Sequence, residues 1–351
     1  MLECGLRLVA SEHVPADAQS DALLMLLLAP ANTTQHEAAE GRVLDEAVEE
    51  SVLISHELSY EVAHEIDVSR DASGPAGWVR AAADSLVGNG ACVLRRYTEL
   101  AIAAELLEAC RCEARPRLDR LLGLAAQASA SEDSTAGTCG ALRYQELYSR
   151  APWECRFDVT VQGSCGTPET TGTPETTKGE GEASSGSAAL WQALLAAVDP
   201  LVRPVLAASG LFGNGEDDLC VEAVGYVLSM PGAPGQVWHP DSERKVGLVN
   251  AFVPLVPLSD ANGPTALALG SHRVPRPCCP CVVRPLLAAG EVLLFDWRTW
   301  HRGCANRSPA DRPVAYVTYA RRGVDGAASY KRGLPSLEAP EQGGIRIEHN
   351  A

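Results

Sequence analysis

From Trp78 onward, apolar residues fall into patterns that predict regular elements. A helical stretch runs from Trp78 through Leu86, Gly88-Asn89-Gly90 reads as a turn, and Ala91-Cys92-Val93-Leu94 as a short strand. Leu100, Ala103, Ala104, Leu107 and Cys110, then Leu118, Leu121 and Leu122, follow spacings of three and four, the period of an amphipathic helix. Pro116 falls inside that run and is expected to divide it into two helices. Ala188 to Val198 is helical again. Beyond Asp218 the period changes, and short β-rich runs broken by Gly and Pro occupy 219–229, 247–258, 265–269, 281–287, 291–296 and 313–320. Several short strands with tight turns predict an antiparallel sandwich or barrel. Pro254 and Pro257 blur the end of the second run, because proline cannot donate to a sheet ladder.

Two segments stand apart from this pattern. Residues 1–70 alternate apolar and acidic stretches and carry 14 Asp or Glu against 3 Lys or Arg, so the formal charge of -16 sits mainly there. Between Gly163 and Ser187 the chain is Gly, Thr, Pro, Glu and Ser, with GTPETT repeated in succession. That composition cannot bury a core and predicts a disordered surface insertion. The expected plan is an acidic segment over 1–70, a domain over 78–322 interrupted at 163–187, and a tail over 323–351.

Composition excludes some classes of function. Residues 201–322 carry 12 basic and 10 acidic side chains, which signals no basic surface for nucleic acid. The apolar run Ala22 to Ala29 is far shorter than the ~20 residues that span a bilayer. The twelve cysteines are scattered, which fits reduced thiols and an intracellular, cytoplasmic setting rather than a secreted disulfide framework. Cys278, Cys279 and Cys281 lack the second Cys pair that a structural zinc site would need. No nucleophile elbow, phosphate loop or dinucleotide fingerprint occurs.

The sharpest chemical feature is Trp238-His239-Pro240-Asp241. In an extended chain His239 and Asp241 point to the same side, so an imidazole nitrogen and a carboxylate oxygen converge. His301, following the strand-like run Glu291 to Asp296, would complete a two-His, one-carboxylate face on Fe(II) with three open positions for a bidentate 2-oxo acid and O2. Eleven residues on, Arg312 opens an alternating strand, where a planar guanidinium could grip a distal carboxylate with two parallel hydrogen bonds. Arg302 and Arg307 compete for that role. Glu146, Arg150, Arg156 and Asp158 form a charged cluster just before the insertion, either at a cavity mouth or on a solvated face.

These motifs, taken in order, resemble the phytanoyl-CoA dioxygenase family of Fe(II)/2-oxoglutarate oxygenases. The resemblance rests on Gln236-Val-Trp-His239-Pro-Asp241, Asn262-Gly263-Pro264, Gly270-Ser271-His272-Arg273, His301-Arg-Gly and Arg312-Pro-Val, with Gly88 to Arg95 and Arg143 to Arg150 as looser matches. It implies a mainly β fold, a double-stranded β-helix or jelly-roll of the cupin type, with helices on one outer face. It also implies iron on His239, Asp241 and His301, 2-oxoglutarate on Arg312, Phe252 lining the co-substrate pocket, and a structural rather than ligating His272. Relatives that halogenate lack the carboxylate, so Asp241 implies hydroxylation of a small-molecule or acyl-type substrate. A jelly-roll that binds a metal or ligand without turnover is the alternative.

Overall fold

The computed structural model describes residues 75–338 except 96–101, 132–140, 151–154, 163–181, 214, 243–244, 274–280, 325–330 and 332. All belong to a compact unit spanning Ser55–Ala351; the other unit, Met1–Ile54, lies outside them. The elements are α1 (Pro75–Asn89), β1 (Ala91–Leu94), α2 (Ala104–Ser131), β2 (Leu147–Ser149), β3 (Arg156–Gln162), α3 (Glu182–Ser209), β4 (Leu219–Ser229), β5 (Leu248–Pro254), β6 (Thr265–Leu269), β7 (Cys281–Val283), β8 (Val292–Asp296), β9 (His301–Gly303) and β10 (Arg312–Arg321). They form two antiparallel sheets, a seven-stranded one in the order β1-β8-β5-β10-β4-β3-β2 and a three-stranded one in the order β7-β6-β9. This is the expected jelly-roll.

The large sheet is covered on both faces, which explains why β10 is buried along almost its whole length. Alternate residues divide between two environments. Val224, Tyr226 and Leu228 of β4, Ala315, Val317 and Tyr319 of β10, and Val249, Ala251 and Val253 of β5 face the helices. Their neighbours Val314, Phe252, Leu293 and Phe295 turn instead toward Leu267 and Val283 of the small sheet. Each helix contributes one apolar stripe, such as Leu107, Cys110, Ala114, Leu118, Leu121 and Ala125 on α2. Burial of a Leu or Val of this kind stabilises by roughly 1.5–3 kcal/mol.

Two expectations need correction. Pro116 does not separate two helices: α2 continues through it to Ser131. A helical proline leaves carbonyls of the preceding turn without N–H partners. The carbonyl so deprived is that of Cys112, four residues before the proline and on the exposed side of α2, where water can meet it; separately, Tyr226 of β4, fully buried, donates its hydroxyl to the Ala114 carbonyl at 2.7 Å and ties α2 to the sheet. Trp191 of α3 stacks on the same ring with centroids 5.0 Å apart. The second correction concerns the segment expected as an insertion. Its last residues, from Glu182, are the first turns of α3, and Ser187 is buried with Arg117 of α2 donating to its hydroxyl at 3.4 Å. The remainder, 163–181, lies outside the described residues, as do 1–74.

Length and composition alone would let Gly186–Ser209 cross a membrane. Its Trp191, Leu194, Val198, Val202, Val205 and Leu206 are nevertheless core residues. Part of the expected tail also packs on the domain, where Glu338 pairs with Arg117 and Arg120.

Tyr226→Phe keeps the stacking but removes the buried hydrogen bond that ties the Ala114 carbonyl to β4. It should lower the unfolding free energy by about 1–2 kcal/mol in denaturant titration, with the native circular dichroism spectrum unchanged.

Candidate metal centre and its cavity

The site is organised by backbone before any side chain is considered. His239 and His301 form an antiparallel bridge, His239 N donating to His301 O at 3.0 Å and His301 N to His239 O at 2.9 Å. Gln236 N reaches Gly303 O at 2.9 Å, and the Gln236 side chain accepts from Gly303 N at 3.0 Å. Residues 236–239 therefore run beside β9 on the side opposite β6, and the two imidazoles share one face with centroids 4.6 Å apart.

Both rings are oriented by their Nδ1 atoms: His239 Nδ1 lies 2.8 Å from Val237 O and His301 Nδ1 2.9 Å from Thr299 O, and because a carbonyl only accepts, each Nδ1 carries a proton and Nε2 is the atom turned to the site. Burial, and next the neighbouring His301, hold His239 well below the usual histidine range, at about 4, which favours the neutral ligand form. Asp241 lies across from them, its Oδ2 3.9 Å from His301 Nε2. One ligand atom from each residue lies within 4.8 Å of the others, a spacing that could hold one ion. Asn250 of β5 donates to Asp241 Oδ2 at 2.9 Å, and Thr318 of β10 donates to the Asn250 carbonyl at 2.7 Å. This relay orients the carboxylate from beneath.

A cavity of about 330 Å³ opens over the triad. Arg312 lines one part of it, together with Thr265, Val314 and Phe252. The Arg312 guanidinium is almost fully buried and donates to the Gly263 carbonyl and, at 2.6 Å, to Ser229 Oγ; none of its partners is a carboxylate, and its Nε has no partner. Burial pushes it down to about 10, still charged at neutral pH. Arg156 lies on the other side of Ser229, since both arginines register with that residue across β4. Its guanidinium is spent on the carbonyls of Gly303, Pro234 and Cys304. Of the competitors, Arg302 is buried over the Trp238 ring and Arg307 is exposed.

Glycine motifs set these distances. Gly263, at φ 78°, brings its turn so close to the Cys304 and Ala305 carbonyls that a Cβ would overlap them, and its own carbonyl meets Arg312. Gly90, at φ 80°, leaves the space that His272 fills. His272 Nε2 and Arg273 Nη2 both reach Val87 O, at 3.0 and 2.7 Å, so Gly-Ser-His-Arg clasps the end of α1, as expected of a structural histidine.

The phytanoyl-CoA dioxygenase (PhyH) family model matches residues 169–314, which include all three triad residues and Arg312. That part of the chain is similar to the PhyH family. A curated relative, the dioxygenase aneA of Aspergillus aculeatus, is 34% identical over 116 residues, covering 28% of this chain and 39% of that protein. This chain thus spans well under half of that relative's length. Among solved structures, the non-heme alpha ketoglutarate dependent epimerase SnoN from nogalamycin biosynthesis is 17% identical, with a TM-score of 0.45 over 77% of this chain and 92% of its own. AviO1 from Streptomyces viridochromogenes Tue57 is also 17% identical, with a TM-score of 0.42 over 70% and 96%.

The structure brings His239, Asp241 and His301 together and places Arg312 and Phe252 in the lining of the same cavity. Asn250, Thr318, Trp297 and Tyr316 also line it and were missed. Inward alternation along β10 from Arg312 through Val314 and Tyr316 to Thr318 is the signal that could have revealed two of them. Cys278 and Cys279 lie outside the described residues, and Cys281 is exposed.

Asn250→Ala removes the donor that fixes Asp241. Calorimetric titration with Mn(II) should show affinity lowered about 10–100-fold, with the fold retained.

Proposed function

We propose that the protein is a non-haem Fe(II)- and 2-oxoglutarate-dependent dioxygenase that hydroxylates a small-molecule substrate. The observation that carries this reading is the buried Arg312 guanidinium, which faces the triad's cavity without a carboxylate partner. A charge taken out of water is opposed by a desolvation penalty on the order of several kcal/mol unless an opposite charge meets it. The distal carboxylate of a 2-oxo diacid, chelated at the triad, would supply that charge.

The donor set fits the metal. Two imidazoles and one carboxylate on a single face suit Fe(II), which keeps further positions for exogenous ligands. When bound there, iron and 2-oxoglutarate supply the oxidising chemistry that turns O2 and the oxo acid into succinate and CO2 while oxygen enters a substrate C–H bond. The chain's own residues orient and enclose. Val237 O and Thr299 O orient the imidazoles, Asn250 and Thr318 hold the carboxylate, and Arg312 sets the direction of the oxo acid. Phe252, edge-on to Phe295 with centroids 4.9 Å apart, helps exclude water beside it.

Purified protein supplied with Fe(II), 2-oxoglutarate and O2 should form succinate, and Asp241→Ala should reduce it to background; undiminished succinate in that variant would remove the metal assignment. Arg312→Met should raise the 2-oxoglutarate concentration for half-maximal rate by about tenfold or more. Without ligand, the same variant should melt no lower than the parent, because a buried, unpaired charge is replaced by an apolar side chain.

A further inference from the structure

The cavity has a second polar wall, away from Arg312, that the metal and the oxo acid leave unused. Its centre is Asp158 of β3, almost fully buried. Both its oxygens are engaged: Tyr316 Oη donates to Oδ1 at 2.8 Å, Lys331 Nζ lies 3.3 Å from the same oxygen, and Arg150 Nη2 donates to Oδ2 at 2.7 Å. Arg150 lies over the Tyr148 ring, 5.7 Å from its centroid, and its side chain is 28% exposed where that of Asp158 is 1% exposed. Lys331 is buried and also donates to Thr160 Oγ1 at 2.5 Å. Glu146, the other acid nearby, does not line the cavity and is engaged by the Ser336 hydroxyl and Leu337 N.

The glycine at 225 makes this wall possible. Gly225 is the cross-strand neighbour of both Tyr316 and Thr160, and a Cβ there would collide with the Val159 carbonyl and with Tyr316 Oη and Cζ. Without it, the Tyr316 ring lies across β4 and its hydroxyl reaches β3. Trp297 belongs to the same apolar cluster as Tyr316 and lines the cavity, and its buried Nε1–H has no hydrogen-bond partner. A buried indole N–H normally finds an acceptor.

Among the described residues, the charged groups lining the cavity are Arg150, Asp158, Arg312 and the triad. With Arg312 given to the oxo acid and Asp241 to the metal, the wall's carboxylate is sequestered. The groups it presents to an incoming molecule are donors: a guanidinium and an indole N–H. We propose that the substrate carries a carboxylate, received by Arg150 with Trp297 Nε1–H as a further donor, so that this wall selects small carboxylic acids and rejects their neutral esters. Asp158 and Lys331 act as positioning residues that hold Arg150 and Tyr316. The assignment rests on the dioxygenase reading of the same cavity.

The test uses the full chain loaded with Mn(II) and 2-oxoglutarate, and a panel of straight-chain, branched, aromatic and amino-acid carboxylic acids, each paired with its methyl ester. Binding is read by thermal shift and calorimetry. At least one acid should bind about tenfold or more tightly than its ester. That preference should disappear in Arg150→Gln and weaken several-fold in Trp297→Phe, which keeps the ring and lacks the N–H. Esters binding as well as acids, no acid binding, or a preference that survives in both variants overturns the proposal. Calorimetry with 2-oxoglutarate alone separates the two readings. Failure of the parent to bind it removes the dioxygenase assignment, whereas loss of 2-oxoglutarate in Arg150→Gln gives that arginine to the co-substrate and overturns only the proposal made here. Should Arg150→Gln not fold, Trp297→Phe decides alone.

Discussion

The site depends on two backbone hydrogen bonds, those exchanged between His239 and His301. Residues 62 apart in sequence are locked opposite one another, and in an antiparallel pair this places their side chains on one face. The pleat then carries Asp241, two residues on, to the same side. Three donors from two distant stretches converge because a sheet has two faces and these residues share one. The small sheet has no other evident reason to place Gln236 to His239 beside a three-residue strand. The large sheet meets the arrangement from below, with Asn250 and Thr318, adjacent across β5 and β10, reaching up to the carboxylate.

Much of this was legible in the sequence. Strands at 219–229 and 265–269 have the bounds expected from their apolar runs, because those runs are dominated by apolar residues and closed by the turn residues Pro231-Gly232 and Gly270. The His-Pro-Asp triplet and the later histidine were legible because their spacing encodes the pleat and because ordered motifs accompany them. Other elements were not. β2 and β9 have three residues each, too few for any period to show, and exist through their partners. β3 places Arg156, Asp158 and Thr160 on its inward face, so its alternation reads as a charged surface strand until the cavity beside it is seen. Pro116 misled because the carbonyl it deprives, that of Cys112, lies on the exposed side of α2, while Leu118, Leu121 and Ala125 beyond it are held by core packing that no local rule contains.

Charge is distributed along the inner face with a clear polarity. Arg156 and Arg312 flank Ser229 at one end of β4, and Arg156 is held down to about 9, by burial first and by Arg312 second. Cationic side chains recur at the edge strands, where Arg150 and Lys331 share one carboxylate. Between these two regions the lining is largely uncharged except for the triad. A ligand entering this space would meet donors at both ends and the candidate metal face in the middle.

The bare position at Gly225 gives the cavity a removable partition. The Tyr316 ring fills the volume that a side chain on β4 would have taken, and it does so only while that position is empty. A side chain at that position would meet the Val159 backbone carbonyl as well as the ring, so it would press on the pairing of β3 with β4 and not on the aromatic group alone. The bore of the chamber beside the triad is thus set by how closely two backbones approach in the strand pair behind it.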